Sequence, residues 1–269
     1  MPAMKLDGRR VLLTGASGGI GNAIARALHG AGATVVLSGR RAEALADLAA
    51  ALGDRVVTDV ADLGNREELD ALLEREGDVD ALVANAALPA SGWLDSFTPD
   101  EIDRALEVNL RAPIQLSRAL VPRMVGRGSG HLVFISSMSG KVPSMGSTVY
   151  SATKFGMRGF AAGLRDELHG KGVGVTTVFP GFISDAGMFA ETGTKLPMGV
   201  ATRSPAQVAA AVVRGIEQDR GEIDVAPLFM KTSAWLAGIS PSAVTALARR
   251  LGSEKVAGEL GERQRHKRS

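Results

Sequence analysis

Tyr150 and Lys154, four residues apart, form the pair with the clearest chemical potential in this sequence. On a helix, residues at positions i and i+4 share a face, so the phenol and the ammonium would point the same way. A neighbouring positive charge stabilises the phenolate and would lower the pKa of the phenol toward the range of a general acid–base catalyst. Tyr150 is also the only tyrosine of the chain. The alternative is a surface Tyr/Lys pair without chemistry.

Hydroxyl and amide side chains elsewhere could complete such a site. Ser136 and Ser137 end an apolar segment that is predicted to be a buried strand. Ligands bind at the carboxyl edge of a parallel sheet, so a serine there could donate to a substrate oxygen. It could equally cap the strand, and Ser139 could be a loop cap. Asn109 lies in the middle of a predicted helix, where asparagine is unfavourable; it is either an exposed filler or holds a water near the lysine.

A glycine-rich stretch near the start of the chain predicts a phosphate-binding turn. Residues 14–21 read TGASGGIG and lie between an apolar segment and a helical pattern. The glycines permit a tight turn and let backbone N–H groups approach a pyrophosphate, while the helix N-terminus favours negative charge. The pattern predicts dinucleotide binding, with an ordinary glycine-rich turn as the alternative.

The residues after the second predicted strand indicate which dinucleotide would bind. NAD-binding folds carry an acidic side chain here for the adenosine 2′-hydroxyl. This chain has Gly39 instead, followed by Arg40 and Arg41. Guanidinium groups can hold a 2′-phosphate with paired hydrogen bonds. We therefore expect NADP; the alternative is a pair of solvated arginines opening a helix.

Two more polar side chains follow predicted strands. Asp59, which precedes Val60, could accept a hydrogen bond from the adenine amino group, or it could close a strand or cap a turn. Asn85 precedes two alanines, whose small side chains let the backbone approach a cofactor. Its amide could also bridge neighbouring strands.

Short apolar segments alternate with longer amphipathic ones, which is typical of a parallel sheet with helices on both faces. Predicted strands cover residues 10–14, 34–38, 55–58, 81–84, 131–136, 173–178 and 222–225. Predicted helices cover residues 20–30, 42–52, 66–75, 99–127 and 149–171, a helix from about Pro205, and residues 227–238 and 241–252. The sequence thus predicts a single-domain, Rossmann-type doubly wound α/β fold of about seven strands with extra C-terminal helices.

No linker or internal repeat divides the chain. We predict one domain over residues 1–254 and a basic, flexible tail over residues 255–269. Residues 185–204 lack clear periodicity, as lids over binding sites often do.

The composition excludes several classes of protein. The absence of cysteine excludes disulfides and thiolate metal sites and favours the cytoplasm. The first residues do not predict a secretory signal, and no apolar run reaches the length of a membrane span. The net charge is +2, of which residues 262–269 contribute +3, so the remainder is near neutral and does not predict a nucleic-acid surface. No histidine–carboxylate cluster indicates a metal site.

Together these motifs resemble those of the short-chain dehydrogenases/reductases. The match runs from about residue 8 to residue 225, and its specificity lies in the order and spacing of motifs that are weak individually. They are Thr14-Gly15-xxx-Gly19-x-Gly21, Asp59, Asn85-Ala86-Ala87, Asn109, Ser137, Tyr150-xxx-Lys154 and Pro180-Gly181.

The resemblance implies a role for each matched position. Asn109, Ser137, Tyr150 and Lys154 would form the catalytic tetrad, and the serine thirteen residues before the tyrosine is the one selected. The lysine would also bind the nicotinamide ribose, and the asparagine would hold a water in a proton relay. The expected cofactor-binding residues are Gly15, Ser17, Gly19, Ile20, Gly21, Arg40, Asp59, Val60, Asn85, Tyr150, Lys154, Pro180, Gly181 and Ile183.

The sequence departs from the family pattern at two places. Leu88 stands where a glycine usually follows Asn-Ala-Ala, and its side chain would intrude near a pocket mouth. Asp185 replaces the usual threonine after Pro-Gly, the residue that binds the nicotinamide carboxamide; Ser184 or the backbone of Ile183 could take over that contact.

The resemblance implies reversible hydride transfer between nicotinamide and a carbonyl or alcohol, with Tyr150 as proton donor or acceptor, in a homodimer or homotetramer. Apolar residues suggest a medium or large apolar substrate; the alternative is that several only pack a lid. They are Leu88, Trp93, Met138, Met145, Phe182, Met188, Phe189, Leu196 and Met198. The rival hypotheses are a redox-sensing NADP-binding regulator without turnover, which would usually lack the tyrosine or lysine, and a sugar epimerase, which would usually be longer.

Overall fold

A parallel sheet of seven strands forms the centre of the structure. The computed structural model describes residues 4–184, 201–240 and 242. The strands are β1 Arg10–Thr14, β2 Thr34–Gly39, β3 Val56–Val60, β4 Ala81–Ala84, β5 Gly130–Ile135, β6 Val173–Pro180 and β7 Glu222–Val225. They lie in the order β3-β2-β1-β4-β5-β6-β7, and every neighbouring pair is parallel. The doubly wound, Rossmann-type prediction is confirmed, and each predicted strand is found within two residues of its expected bounds.

Helices flank the sheet along the described part of the chain. They are α1 Gly19–Gly30, α2 Ala42–Leu52, α3 Arg66–Glu76, α4 Pro99–Leu106, α5 Ala112–Gly126, α6 Thr148–Glu167, α7 Pro205–Gln218 and α8 Leu228–Ile239. The start of α7 is as predicted: the Ser204 hydroxyl and the Gln207 side chain form a reciprocal capping box, and proline occupies the first turn.

The strands read as continuous apolar runs because both faces of the sheet are covered. In β1, Val11 and Leu13 belong to the core formed with α1 and α7, whereas Leu12 belongs to the core formed with α3, α5 and α6. The strand ends and the turns that follow them are therefore fixed on both sides. These turns carry most of the residues singled out in the sequence.

The predicted helix over residues 99–127 is wrong in one respect. A wider π-helical turn, Glu107–Arg111, separates α4 from α5. Apolar spacing continues through this turn, so the pattern alone does not reveal it. The predicted helix over residues 149–171 is also too long, because α6 ends at Glu167 and Gly170 adopts a φ of +77°.

Several predictions concern residues that the structure does not describe. The predicted helix over residues 241–252 lies outside the described residues apart from one position, as do residues 185–200 of the predicted lid and the whole tail. The domain bounds remain a prediction. Among the described helices, none combines the length and the apolar character needed to cross a bilayer.

His131, one of four histidines, lies buried in β5. Its Nε2 lies 2.8 Å from Thr176 Oγ1 on β6, and that hydroxyl donates to the Arg220 carbonyl at 2.7 Å. Burial lowers the pKa of His131 to about 4, with Asp219 opposing and Arg165 reinforcing the shift. The native state therefore holds a neutral imidazole that links two central strands.

This shift predicts a specific loss of stability in acid. Between about pH 6.5 and pH 4 the His131 imidazole is protonated in the unfolded chain but neutral in the native state. The free energy of unfolding therefore falls as the pH falls. Urea unfolding at about pH 7 and pH 4.5 should show a loss from this residue of about 2 kcal/mol. The variant His131→Gln, which keeps a donor toward Thr176, should lack this component. Equal pH dependence in the two proteins would contradict the prediction.

Candidate active site

The predicted reactive residues come from three elements that meet beyond the carboxyl edge of the sheet. Ser137 lies just past the end of β5, Tyr150 and Lys154 lie one turn apart on α6, and Asn109 lies in the π-helical turn before α5. A 3-10 turn, Met138–Gly140, follows Ser137, whose Oγ accepts from the Ser139 N–H at 3.1 Å.

The Ser137 side chain lies close enough to the Tyr150 hydroxyl to influence its pKa as a hydrogen-bond partner. Its ring is partly buried and packs against a small apolar cluster of Ala90, Ala105 and Val149. Burial raises the pKa of the phenol to about 12, and the Ser137 hydrogen bond opposes this shift. At neutral pH the phenol therefore carries its proton.

Lys154 is buried and points toward the end of the neighbouring strand. Its Nζ donates to the Ile135 carbonyl at 2.9 Å and lies 5.5 Å from the centroid of the Tyr150 ring. Burial lowers the pKa of the ammonium to about 8. The predicted sharing of one helix face is confirmed, but the expected lowering of the tyrosine pKa is wrong for this structure. Loss of solvent disfavours both charged forms, and the lysine is engaged by a strand carbonyl.

Asn109 is buried, so the exposed-filler alternative is wrong. Its Oδ1 accepts from the Leu88 N–H at 2.6 Å, and its Nδ2 donates to the Leu88 carbonyl at 2.9 Å. A π-helical turn of this kind is often found at functional sites. Here it places an amide against the loop that follows β4. The Leu88 side chain is itself buried.

The glycine-rich turn after β1 leaves no room for side chains. A Cβ on Gly21 would lie 2.1 Å from the Gly15 carbonyl oxygen, and one on Gly15, where φ is +66°, would lie 2.7 Å from Ala86 Cα. Gly18 caps α1 without a side-chain hydrogen bond, so the first N–H groups of that helix have no side-chain cap. This backbone cradle suits the pyrophosphate of a dinucleotide.

Asn85 shapes the same turn from the neighbouring strand. Its Nδ2 donates to the carbonyls of Thr14 and Gly15, both at 3.1 Å, which confirms the predicted bridge between strands. The Thr14 hydroxyl accepts from the backbone N–H groups of Asn85 and Ala86. Sequence reasoning assigned no role to Thr14, although it opens the glycine motif.

Arg40 and Arg41 flank the exit from β2 as expected. Arg41 donates to the Ser17 carbonyl of the glycine-rich turn. The Arg40 side chain is about half exposed and lies 4.0 Å from Asp62, whose carboxylate Arg104 already binds at 2.7 Å. A Cβ on Gly39 would lie 3.3 Å from Ser17 Oγ. Gly39, Arg40 and Arg41 therefore enclose one corner of the glycine-rich turn.

Asp59 is buried at the end of β3, and Arg75 holds both of its carboxylate oxygens. The Nε and Nη2 donors lie at 2.9 and 2.7 Å. Sequence reasoning missed this partner, sixteen residues away on α3. Val60, next in the chain, is exposed.

The segment after β6 is fixed by Arg203. The Arg203 N–H donates to Phe182 and the Ser184 N–H donates to Arg203, both at 2.9 Å. Gly181 donates to Val225 at 3.0 Å, and Ile183 is buried. Pro180, Gly181 and Ile183 therefore lie at the same sheet edge as Ser137.

The Asn109 contacts predict a measurable stabilisation of the loop after β4. Asn109→Ala would leave both backbone groups of Leu88 without their buried partners, which should cost about 2–4 kcal/mol. As a control, Asn22→Ala removes an exposed contact to Arg26 within α1 and should change stability by less than about 0.5 kcal/mol. Urea denaturation measures both; equal small effects would show that Asn109 does not hold this loop.

Comparison with known proteins agrees with this geometry. The family model described as short chain dehydrogenase matches residues 9–197. The chain is 45% identical over 186 residues to nodulation protein G of Rhizobium sp. (strain N33), covering 68% of this chain and 76% of that protein. It is 37% identical over 227 residues to the ketoacyl reductase HetN of Nostoc sp. (strain PCC 7120), covering 82% of this chain and 79% of the relative.

A solved short-chain dehydrogenase from Sphingobium yanoikuyae in complex with NADPH is similar in fold, with a TM-score of 0.77 and 27% identity. The match covers 88% of this chain and 95% of that one. Sequence, fold and the arrangement of Ser137, Tyr150 and Lys154 thus lead to one assignment. The chain belongs to the short-chain dehydrogenase family of oxidoreductases.

Proposed function

We propose that this protein is an NADP(H)-dependent oxidoreductase that interconverts a carbonyl group and a secondary alcohol on an apolar substrate. The observation that carries the proposal is the convergence of Ser137, Tyr150 and buried Lys154 at one edge of the sheet, where Ser137 acts on the pKa of the Tyr150 phenol as a hydrogen-bond partner. Nicotinamide, when bound, supplies or accepts the hydride. The residues of the chain supply the proton, the orientation and the stabilisation of charge.

In the direction of reduction, a hydride adds to the carbonyl carbon and the Tyr150 hydroxyl gives its proton to the carbonyl oxygen. Ser137 donates a hydrogen bond to that oxygen as negative charge develops on it. The Lys154 ammonium stabilises the phenolate left behind, and a water held at Asn109 returns a proton. A phenol that is neutral at pH 7 suits proton donation. Oxidation of an alcohol runs the same steps in reverse.

The proposal of NADP over NAD rests on charge at the corner of the glycine-rich turn. Two guanidinium groups lie there, and Gly39 stands in the place of an acidic residue. A 2′-phosphate would gain charge-assisted hydrogen bonds from these side chains. The NADPH complex of the Sphingobium relative is in keeping with this choice.

Replacing Arg40 tests the cofactor preference. In Arg40→Ala we expect the Kd of NADPH to rise about ten-fold or more, because a charge-assisted contact contributes about 1.5–3 kcal/mol. The Kd of NADH should stay almost unchanged. Arg26→Ala, an exposed arginine on α1, is the matched control and should affect neither. Fluorescence titration measures all four constants; parallel weakening of NADPH and NADH would argue against a phosphate contact.

The proposed apolar substrate depends on side chains near the mouth of the site. Gly92 pairs with Ser147, and its N–H donates to Gly146 at 2.7 Å, which brings Trp93 close to the start of α6. Trp93 is about half exposed. Leu88 and Met138, also expected in the pocket, are buried, and Met138 packs with Phe179. Met145 and Phe182 are partly buried, and the other four expected positions, Met188, Phe189, Leu196 and Met198, lie outside the described residues.

Turnover is tested by NADPH absorbance with methyl ketones of increasing chain length, a 3-oxoacyl thioester and a polar keto acid. We expect turnover to rise with apolar length. Tyr150→Phe should lower kcat at least about 100-fold while NADPH still binds, because the proton donor is lost. Ser137→Ala should be impaired, whereas Ser139→Ala, a hydroxyl in the same turn, should keep most activity. Normal turnover by Tyr150→Phe would refute the assignment of the proton donor, and turnover of polar substrates alone would refute the substrate class.

The presence of both Tyr150 and Lys154 at this sheet edge favours turnover over a regulatory role without catalysis. We further propose a homodimer or homotetramer and a cytoplasmic location, as expected from the sequence.

A further inference from the structure

Lys141, just after the turn that carries Ser137, is a cation with little exposure to solvent. Its side chain is 9% exposed. Its Nζ lies 2.6 Å from Asp224 Oδ1 and 2.8 Å from Glu222 Oε2, both on the edge strand β7. It also lies 4.0 Å above the centroid of the Phe179 ring on β6. None of these residues belongs to the motifs of the proposed active site.

A second cation joins the same cluster from α6. Arg158 Nε donates to Glu222 Oε1 at 2.8 Å, and its guanidinium lies 5.7 Å from the Phe179 ring centroid. Although burial alone would raise the pKa of Glu222, hydrogen bonds from Arg158 and Lys141 lower it overall. One ionised carboxylate is thus shared between the chain after the Ser137 turn and the helix that carries Tyr150.

The ion pairs of Lys141 hold the Met138–Gly140 turn, which packs tightly against α6. A Cβ on Gly140 would lie 2.7 Å from the Lys154 carbonyl oxygen, and Ser136 Oγ donates to that carbonyl at 3.1 Å. Within the turn, the Gly140 N–H donates to Ser137 at 2.8 Å and the Lys141 N–H donates to Met138 at 2.9 Å. Because this turn is short and is held by its own hydrogen bonds, a displacement of Lys141 would also displace Ser137.

We infer that Lys141 is a positioning residue: by binding Asp224 and Glu222 of β7 while Arg158 binds Glu222 from α6, it fixes the distance of the Ser137 turn from α6 and so the approach of the Ser137 side chain to the Tyr150 hydroxyl. The catalytic meaning of this role rests on the proposed function. The geometric role does not, and it can be measured without a substrate.

The substitution Lys141→Met keeps the length of the side chain and removes its charge. Asp224 and Glu222 then lose a buried cation, β7 loses its link to the turn, and Ser137 is held only by its own turn and by packing on α6. The Ser137–Tyr150 contact should weaken. Because that hydrogen bond lowers the pKa of the phenol, its weakening should raise the pKa.

Tyr150 is the only tyrosine, so incorporation of 3-fluorotyrosine gives a single ¹⁹F resonance at the hydroxyl of interest. Fluorination also lowers the phenol pKa and so brings its titration closer to neutral pH. In Lys141→Met we expect a shifted resonance and a higher pKa than in the unsubstituted protein. Lys141→Arg, which retains the charge, should restore most of both values.

Arg165→Met is the matched control for loss of a buried ion pair. Arg165 lies on α6 and binds Asp219 at 2.8 Å, near the amino end of the sheet. This variant should lose thermal stability yet leave the Tyr150 resonance and its pKa unchanged. If Lys141→Met does not fold, Asp224→Asn gives the same test with a smaller perturbation.

With the best ketone of the panel, Lys141→Met should lower kcat about 10- to 100-fold while the Kd of NADPH stays the same. An unchanged ¹⁹F resonance and phenol pKa in Lys141→Met, or in Asp224→Asn as its substitute, would overturn the inference. So would an equal change in Arg165→Met. If no ketone is turned over but the resonance moves as expected, the proposed function fails and the positioning role stands.

Discussion

The removal of water from around Tyr150 and Lys154 is the constraint on which the rest of the site depends. It raises the phenol pKa to about 12 and lowers the ammonium pKa to about 8, so both groups are driven toward their neutral forms. Charge that develops during a reaction must then be stabilised by fixed dipoles rather than by solvent. The Ser137 hydroxyl and the Ile135 carbonyl provide such dipoles, one for each member of the pair.

These dipoles have fixed orientations because they come from the end of a central strand. Ile135 pairs with Val178 on β6 at the last position of β5, so its carbonyl is fixed by the sheet while it accepts from Lys154. Ser137 follows two residues later, where the chain leaves the sheet. Helices pack on both faces of the sheet, so neither α6 nor the end of β5 can move far. The groups that lie between them therefore have little conformational freedom.

The sequence predicted much of this fold because its signals are local. Strands buried on both faces give continuous apolar runs, and glycines at 15 and 21 mark places where a Cβ has no room. What it could not predict depends on contacts between distant segments. The π-helical turn around Asn109 interrupts no apolar pattern, yet it aims the amide at Leu88. The direction of the Tyr150 pKa shift depends on burial, whereas the spacing of the pair indicates only proximity.

The ion pairs that the sequence did not predict also join segments that are distant in the chain. Arg75 and Asp59 lie sixteen residues apart, and Lys141 and Asp224 eighty-three, so neither pair leaves a periodic signal. Buried ion pairs are also weak evidence for stability, because the cost of desolvation can exceed the attraction between the charges. A cluster that contributes little to stability can still permit only one arrangement of the segments it joins. Lys141 joins the Ser137 turn to β7, and Arg158 joins the helix that carries Tyr150 to the same Glu222 carboxylate, so the cluster can set the relative position of two hydroxyls whatever it contributes to stability.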